Sequence, residues 1–347
     1  MAKFEIISND NSQGPHVLVY VTADENPTRG DVHGLKGAGR NLAKLLEGSF
    51  TYLEEQHLYA MYPGERSVKK LLGNFFEDFG TPDVLIGPDL LDISGMLWRT
   101  PPLMEVQEIN ECLSYEYAKS DTIVAHHLTE EMLQQEGKIF DQAYPELPRP
   151  LIGVLTAGYI NNSPAFVKKL VGCAATYPQA TIFLCGSLRT TPPEFFSIES
   201  TIKAEIKKSG LEERIKFEKY NFWQKSQNND TDYNPYVGLL DRADHLLVTG
   251  YSMSMVSEVL ATGKTPILFE GQHQYKTLTI EGDVKDFFNS DENSPFETEK
   301  IRPINITAKV AEGLAEKFRK TAQKKMQSGD ESQLQIRQKI KGWKISV

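Results

Sequence analysis

The residues best suited to chemistry fall in one stretch of the second half, HLLVTGYSMSMVSEVLATGKTPILFE, residues 245–270. An apolar run, a Gly-containing turn, a helix-forming run ended by Gly263 and a second apolar run follow in order, which predicts strand, turn, helix, strand. Ligands of open parallel sheets bind beyond the carboxyl ends of the strands. A helix starting there points unpaired N–H groups and its positive dipole end at them. Ser252 is the expected N-cap, and Gly250 is expected to let backbone approach a ligand closely. Val256, Val259, Leu260 and Gly263 recur at helical spacing and set the buried face, leaving Ser254, Ser257 and Glu258 on the other side, turned towards the space between two domains. Such a face suits a nucleotide, with a diphosphate at the helix start and a ribose at Glu258. The other reading of Glu258 is an acid that merely favours the positive end of a helix.

Ser187 and Arg189 follow the strand-like run TIFLCG and so stand at a second strand end. The planar fork of arginine makes paired, charge-assisted hydrogen bonds to phosphate, although exposed loop arginines are ordinary. The string GLKGAG, residues 34–39, spaces its glycines G-x-x-G-x-G and lies well after its strand, so it is not a dinucleotide fingerprint. Lys36 and Arg40 beside it read as solvated. No group of residues has metal-ligand spacing, and no metal or other cofactor is expected.

These residues need a scaffold, and the rest of the chain supplies one. Short apolar, β-branched runs at 16–22, 83–87, 106–110 and 122–125 in the first half, and at 151–156, 181–186, 215–220, 245–250 and 265–270 in the second, alternate with helix-like stretches. That alternation predicts an α/β protein with two parallel sheets. YPELPRP carries three prolines in seven residues and reads as an extended linker, giving domains of 1–148 and 149–306. Thr307 is the expected N-cap of a C-terminal amphipathic helix opening a segment, 307–347, that either packs back on the first domain or meets an acidic surface. The polar stretches 221–234 and 290–299 read as long loops.

A length of 347 residues fits two cores, and a net charge of -9 argues against a nucleic-acid partner, which needs concentrated Lys and Arg. No apolar run has the length of a signal or a membrane span, so membrane contact is expected to be peripheral at most. The three cysteines, Cys112, Cys173 and Cys185, are odd in number and far apart, which fits a reducing, cytoplasmic setting.

The run NPYVGLLDRADHLLVTGYSMSMVSEVLATGKTP, residues 234–266, resembles a stretch of the ELM-type mitochondrial-fission family of glycosyltransferase-like proteins: NPY, then LxxAD, then VTxDSxSMxSEAxATGKPV. LPRPLIGVLTAG and FLCGSLRTTPPEF are similar to that family's interdomain entry and TTSRRTPPE element, and DVLIGPDLL and PPLMEVQEIN echo its N-terminal strands. SMSMVSEVLATGKTP followed by GQH is also similar to the donor site of the N-acetylglucosaminyltransferase that makes lipid II. The resemblance implies a GT-B fold, two Rossmann-like domains with parallel sheets facing a cleft, with the donor on the C-terminal side and the acceptor on the N-terminal side. Carried over, Glu258 binds the donor ribose, Ser252, Met253 and Ser254 the diphosphate, and Gln272 the donor sugar or phosphates. Tyr251 stands where the family has Asp, which puts activity or donor preference in question. His33 matches the histidine of the family's first turn, where a neutral imidazole takes the acceptor's proton. His127, in a region where the family often has histidine, is expected in an acceptor-side or structural role.

These readings give a metal-independent glycosyltransferase that moves a hexosyl or N-acetylhexosaminyl group from a nucleotide-diphosphate sugar to a saccharide, lipid or protein acceptor. The alternatives are a non-catalytic scaffold that keeps the fold, and a nucleotide-sugar epimerase or hydrolase.

Overall fold

The computed structural model describes residues 5–7, 14–21, 30–87, 102–106, 123–158, 160, 163–224, 233–290, 296 and 301–327. The expected strand at 107–110, most of the loops at 221–234 and 290–299, residues 22–29 of the first turn and the tail beyond Gly329 lie outside them. In chain order the first elements are β1 (Glu5–Ile7), β2 (His16–Val21), α1 (Gly30–Leu45), β3 (Ser49–Glu54), α2 (Glu55–Met61), α3 (Val68–Phe79), β4 (Val84–Ile86) and β5 (Met104–Val106). Then come α4 (Glu130–Ala143), β6 (Leu151–Thr156), α5 (Ser163–Ala174), β7 (Ala180–Gly186), α6 (Pro192–Lys208) and β8 (Ile215–Asn221). The last are α7 (Tyr236–Arg242), β9 (His245–Thr249), α8 (Met253–Ala261), β10 (Ile267–Glu270), α9 (Lys276–Glu281), β11 (Lys285–Asp286) and α10 (Ile306–Gln327).

Two compact α/β units result. Among the described residues the first holds β1 to β5 with α1 to α3, together with Val124–His127 and α10, and the second holds Ile123 and Leu128–Asn305. In the first unit the sheet order is β1-β3-β2-β4-β5, parallel except for the edge pair β1–β3. β2 is apolar at nearly every position because both its faces are covered. Val17, Val19 and Val21 pack with Ala38 and Leu42 of α1 and with Val310, Leu314 and Phe318 of α10, while Leu18 and Tyr20 pack with Leu58, Leu71 and Phe75. The C-terminal helix is thus part of this core.

Three features differ from the sequence expectation. β3 is absent from it, since SFTYLE lacks a long apolar run, yet the strand is buried at four of its six positions. Ile123–Ala125 is irregular chain where a strand end is expected. Thr307 lies inside α10 and does not cap it: its hydroxyl accepts from His126 N–H at 2.9 Å and donates to His126 C=O at 3.0 Å. One hydroxyl thereby satisfies both backbone groups of buried His126, in a segment with no strand neighbour among the described residues.

That segment runs across α1, and the glycines of GLKGAG make room for it. A Cβ at Gly34 would lie 2.8 Å from the Ala125 carbonyl oxygen, and one at Gly37 2.1 Å from that of His126. At Gly39 it would meet Val19 Cγ2 at 2.4 Å. These glycines serve helix–backbone and helix–sheet contact.

The second unit has an all-parallel sheet in the order β11-β10-β9-β6-β7-β8. α4 belongs to it, so the division falls after His127, upstream of the prolines. Phe140 and Tyr144 pack on Phe183 of β7, with ring centroids 5.6 and 5.0 Å away. The proline stretch is fastened rather than free: Thr181 Oγ1 donates to Pro148 C=O at 2.8 Å, and Arg149 pairs with Asp244 at 3.0 Å.

Gly37→Ala should destabilise the protein by about 1–3 kcal/mol through overpacking. Gly73→Ala, inside α3 with open space around its Cβ position, should stabilise it by about 0.5–1 kcal/mol through helix propensity. Urea denaturation of both variants checks this; loss of stability on both would remove the packing role assigned to Gly37.

Candidate functional site

In the second unit the chain passes from β6 to β7 to β8 in one direction, then crosses to β9, β10 and β11 on the other side of β6. The carboxyl ends of β6 and β9 therefore bound a topological switch point, the crevice where doubly wound sheets take their ligands. Buried threonines join the strand ends there. Thr249 Oγ1 accepts from Ala157 N–H at 2.8 Å, tying β9 to the end of β6, and Thr190 Oγ1 donates to Thr156 C=O at 2.8 Å, tying in the loop after β7.

The turn after β9 opens at this point. Gly250 lets the chain's own backbone approach closely. A Cβ there would lie 2.6 Å from the Glu270 carbonyl oxygen, and Gly250 N–H donates to that oxygen at 2.7 Å. Gly271 faces it with a φ of 70°, the left-handed conformation that glycine takes without strain. The buried Tyr275 hydroxyl donates to Gly250 C=O at 2.8 Å and completes the clamp. Ser252 caps α8 as expected, its Oγ accepting from Met255 N–H at 3.4 Å. Tyr251 and Met253 on either side are 40% and 41% exposed, and Ser254 is half-buried.

The polar face expected of α8 does not exist as such. Met255 through Leu260 are all buried, so Ser257 and Glu258 are covered along with the apolar residues, while Met253 at the helix start stays exposed. Ser257 is fully buried and its Oγ donates to Met253 C=O at 2.7 Å. Glu258 is 4% exposed, and its Oε2 accepts from the hydroxyl of Tyr236 at 2.5 Å. Burial drives its carboxyl up to about 7, against the opposing pull of the tyrosine hydrogen bond. A buried carboxyl that titrates near neutrality beside a sheet switch point is a functional-site candidate on physical grounds. The remaining residues stand at neighbouring strand ends. Ser187, half-buried, accepts from Arg189 N–H at 3.2 Å; Arg189 is exposed; Gln272, half-buried, follows β10 in a short 3-10 turn. Sequence reasoning assigned no role to Tyr236, although it is the last residue of NPY and the first of α7. Its signal is only visible once α7 and α8 are placed side by side.

In the first unit α1 and the segment beside it gather a second set of groups. The rings of His33 and His127 meet edge to face, 4.0 Å between centroids. Burial, then the neighbouring His33, His126, Lys36 and Arg40, holds the His127 imidazole far below its ordinary range, and burial lowers His126 to about 4. Both are therefore neutral near pH 7. Lys36 Nζ lies 4.5 Å from the centre of the Tyr52 ring and Arg40 stands over Phe50, so these two are held against aromatic faces, where the sequence reads them as solvated.

The second unit, with its sheet wound in both directions from β6, is of the doubly wound, Rossmann-like class, and the first is an α/β unit with parallel pairing throughout except at β1. The chain belongs to the family described as Mitochondrial fission ELM1, which matches residues 121–318. Mitochondrial fission protein ELM1 of Arabidopsis thaliana is 24% identical over 193 residues, 54% of this chain and 42% of that relative, so the match spans less than half of the relative's length. Among solved structures the chain is similar to the glycosyl transferase family 9 protein of Veillonella parvula DSM 2008, at 13% identity and a TM-score of 0.41 over 87% of this chain and 97% of the other. It is also similar to a glycosyltransferase of Rickettsia africae ESF-5, at 11% identity and a TM-score of 0.39 over 95% and 100% of the two chains. No helix among the described residues is long and apolar enough to cross a membrane.

The raised Glu258 carboxyl has a consequence for stability. Its folded value lies above the ordinary 4.5, so the folded state holds the proton more tightly than the unfolded chain. The stabilisation is complete below about pH 4.5 and is lost as pH rises through about 7. Between pH 5 and 8, Tm of the wild type should fall by a few degrees relative to Glu258→Gln, which cannot titrate. A pH-independent difference would contradict the assignment.

Proposed function

We propose that this protein is a metal-independent glycosyltransferase of the GT-B class, acting on a nucleoside-diphosphate sugar. The observation that carries the reading is the turn Gly250–Ser252 at the sheet switch point, with the start of α8 and the buried Glu258 behind it. The N–H groups of Met253 and Ser254 begin a capped helix and suit the diphosphate, with Ser187 and Arg189 as further phosphate partners. Glu258 takes the ribose and Gln272 the sugar. In the transfer, the acceptor oxygen forms a bond to the anomeric carbon while the bond from that carbon to the diphosphate breaks, and the acceptor's proton passes to His33. His127, kept neutral beside it, lines the acceptor side. Oriented N–H dipoles and Arg189 stabilise the departing diphosphate without a cation. The free, buried Cys185 fits a reducing, cytoplasmic setting.

One observation favours a second reading. The near-complete burial of Glu258, together with Tyr251 where the resemblance expects Asp, suits a protein that keeps the fold as a scaffold, and the Arabidopsis relative is named for fission.

Thermal denaturation with UDP, GDP, ADP, CMP and dTDP, with and without magnesium, separates the two. One nucleotide should stabilise the protein by about 2.7 kcal/mol at a hundredfold excess over Kd, regardless of magnesium, and Glu258→Ala should abolish the shift. No shift with any of them would favour the scaffold; a shift that requires magnesium would overturn the metal-independent mechanism.

A further inference from the structure

The Tyr236–Glu258 pair is built into the second unit more firmly than a chance contact between two helices. Tyr236 is the first residue of α7, and its N–H donates to Asn234 Oδ1 at 3.1 Å, a local turn that sets where the helix begins. α7 is then fastened along its length. A Cβ at Gly238 would lie 2.6 Å from Phe140 Cβ and 2.7 Å from the Glu136 carbonyl oxygen, and one at Gly137 would collide with the Asp241 carboxylate, so α4 and α7 approach closely through two glycines. Tyr233 adds a hydrogen bond to Glu136 C=O at 3.2 Å. At the other end, Lys264, three residues beyond α8, donates to the carbonyls of Leu240 and Asp241 at 2.6 Å each, placing a cation on the last turn of α7. The two helices carrying the tyrosine and the carboxylate are thus fixed to each other at a second point.

The chemistry of the pair is directional. A phenol hydroxyl donates one hydrogen bond, and here it goes to Oε2 of Glu258. A carboxylate that must accept from the hydroxyls of a ribose has two oxygens and a freely rotating terminal torsion. Holding one oxygen fixes the plane of the group and leaves Oε1 as the acceptor of defined direction. Preorganisation of this kind raises affinity by removing the ordering cost from the binding step.

We infer that Tyr236 is the positioning residue for ribose recognition, orienting Glu258 so that the protein discriminates a nucleotide carrying the ribose diol from one lacking it. This rests on the nucleotide-binding reading above and extends it to the sugar of the nucleotide. Tyr236 acts through Glu258.

The test is isothermal titration of the full chain with UDP, GDP, ADP and CDP and with their 2′,3′-dideoxy counterparts, on the wild type, Tyr236→Phe, Glu258→Gln and the double variant. At pH 8, where the Glu258 carboxyl is ionised, the wild type should prefer the ribonucleotide by about tenfold or more, as expected for hydrogen bonds to a charged acceptor. Tyr236→Phe should reduce that ratio severalfold while affinity for the dideoxy form stays within a factor of two, and it should have no further effect on the ratio in Glu258→Gln. Thermal denaturation of the same variants reports any structural contribution separately. A lowered Tm with an unchanged ratio makes Tyr236 a packing residue and overturns the inference alone. Binding without preference for the diol overturns it while leaving the nucleotide site in place. Absence of binding by every nucleotide to the wild type removes both.

Discussion

The parallel pairing of β6 with β9 is the constraint on which the second unit turns. β6 is the first strand of its sheet, and everything after it grows outwards to one side until β8 and then to the other from β9. Parallel strands must be joined by crossovers, and both faces of such a sheet must be covered, so the helices that follow each strand have little freedom in where they begin. The ends of β6 and β9 are side by side because hydrogen bonds put Leu155 opposite Val248. The start of α8 at Met253 is a direct result, and with it the position of Glu258 one turn further on.

What holds this edge in shape is a set of small, buried polar contacts in place of large side chains. Thr190 and Thr249 spend their hydroxyls on backbone groups at the strand ends, and Tyr275 does the same for Gly250. Each contact contributes only about 1 kcal/mol, but leaving a buried amide or carbonyl unpaired costs more than making the bond gains. The result is a rigid rim on which loops can carry function. The first unit solves the same problem differently. Its irregular segment Val124–His127 has no neighbouring strand among the described residues, and Thr307 supplies partners for both backbone groups of His126 from a helix 181 residues further along the chain.

Glycine has a similar meaning at several sites. Gly34 and Gly37 against the 125–127 segment, Gly238 of α7 against Glu136 of α4, and Gly250 against Glu270 and Gly271 all mark places where two stretches of backbone approach more closely than a Cβ allows. A ligand-binding loop and a tight internal contact ask for the same residue type, and a string of glycines does not say which applies.

The sequence by itself determined the alternation of strands and helices, the two-sheet α/β class, the turn and N-cap at Ser252 and the amphipathic C-terminal helix, because these follow from hydrophobic period and capping chemistry over a few residues. It also carried the family, through the residues of 234–266. Tertiary structure alone decided the rest. It covered α8 from Met255 to Leu260, so Glu258 became a buried carboxyl where its spacing predicts a free polar face. It drew the His126 backbone to Thr307 and gave the glycines of GLKGAG a packing role. It joined Tyr236 to Glu258 across 22 residues of chain. In each case the partner is distant in sequence, and the energy of a buried polar or backbone contact depends on what closes around it, a quantity that no local pattern of residues contains.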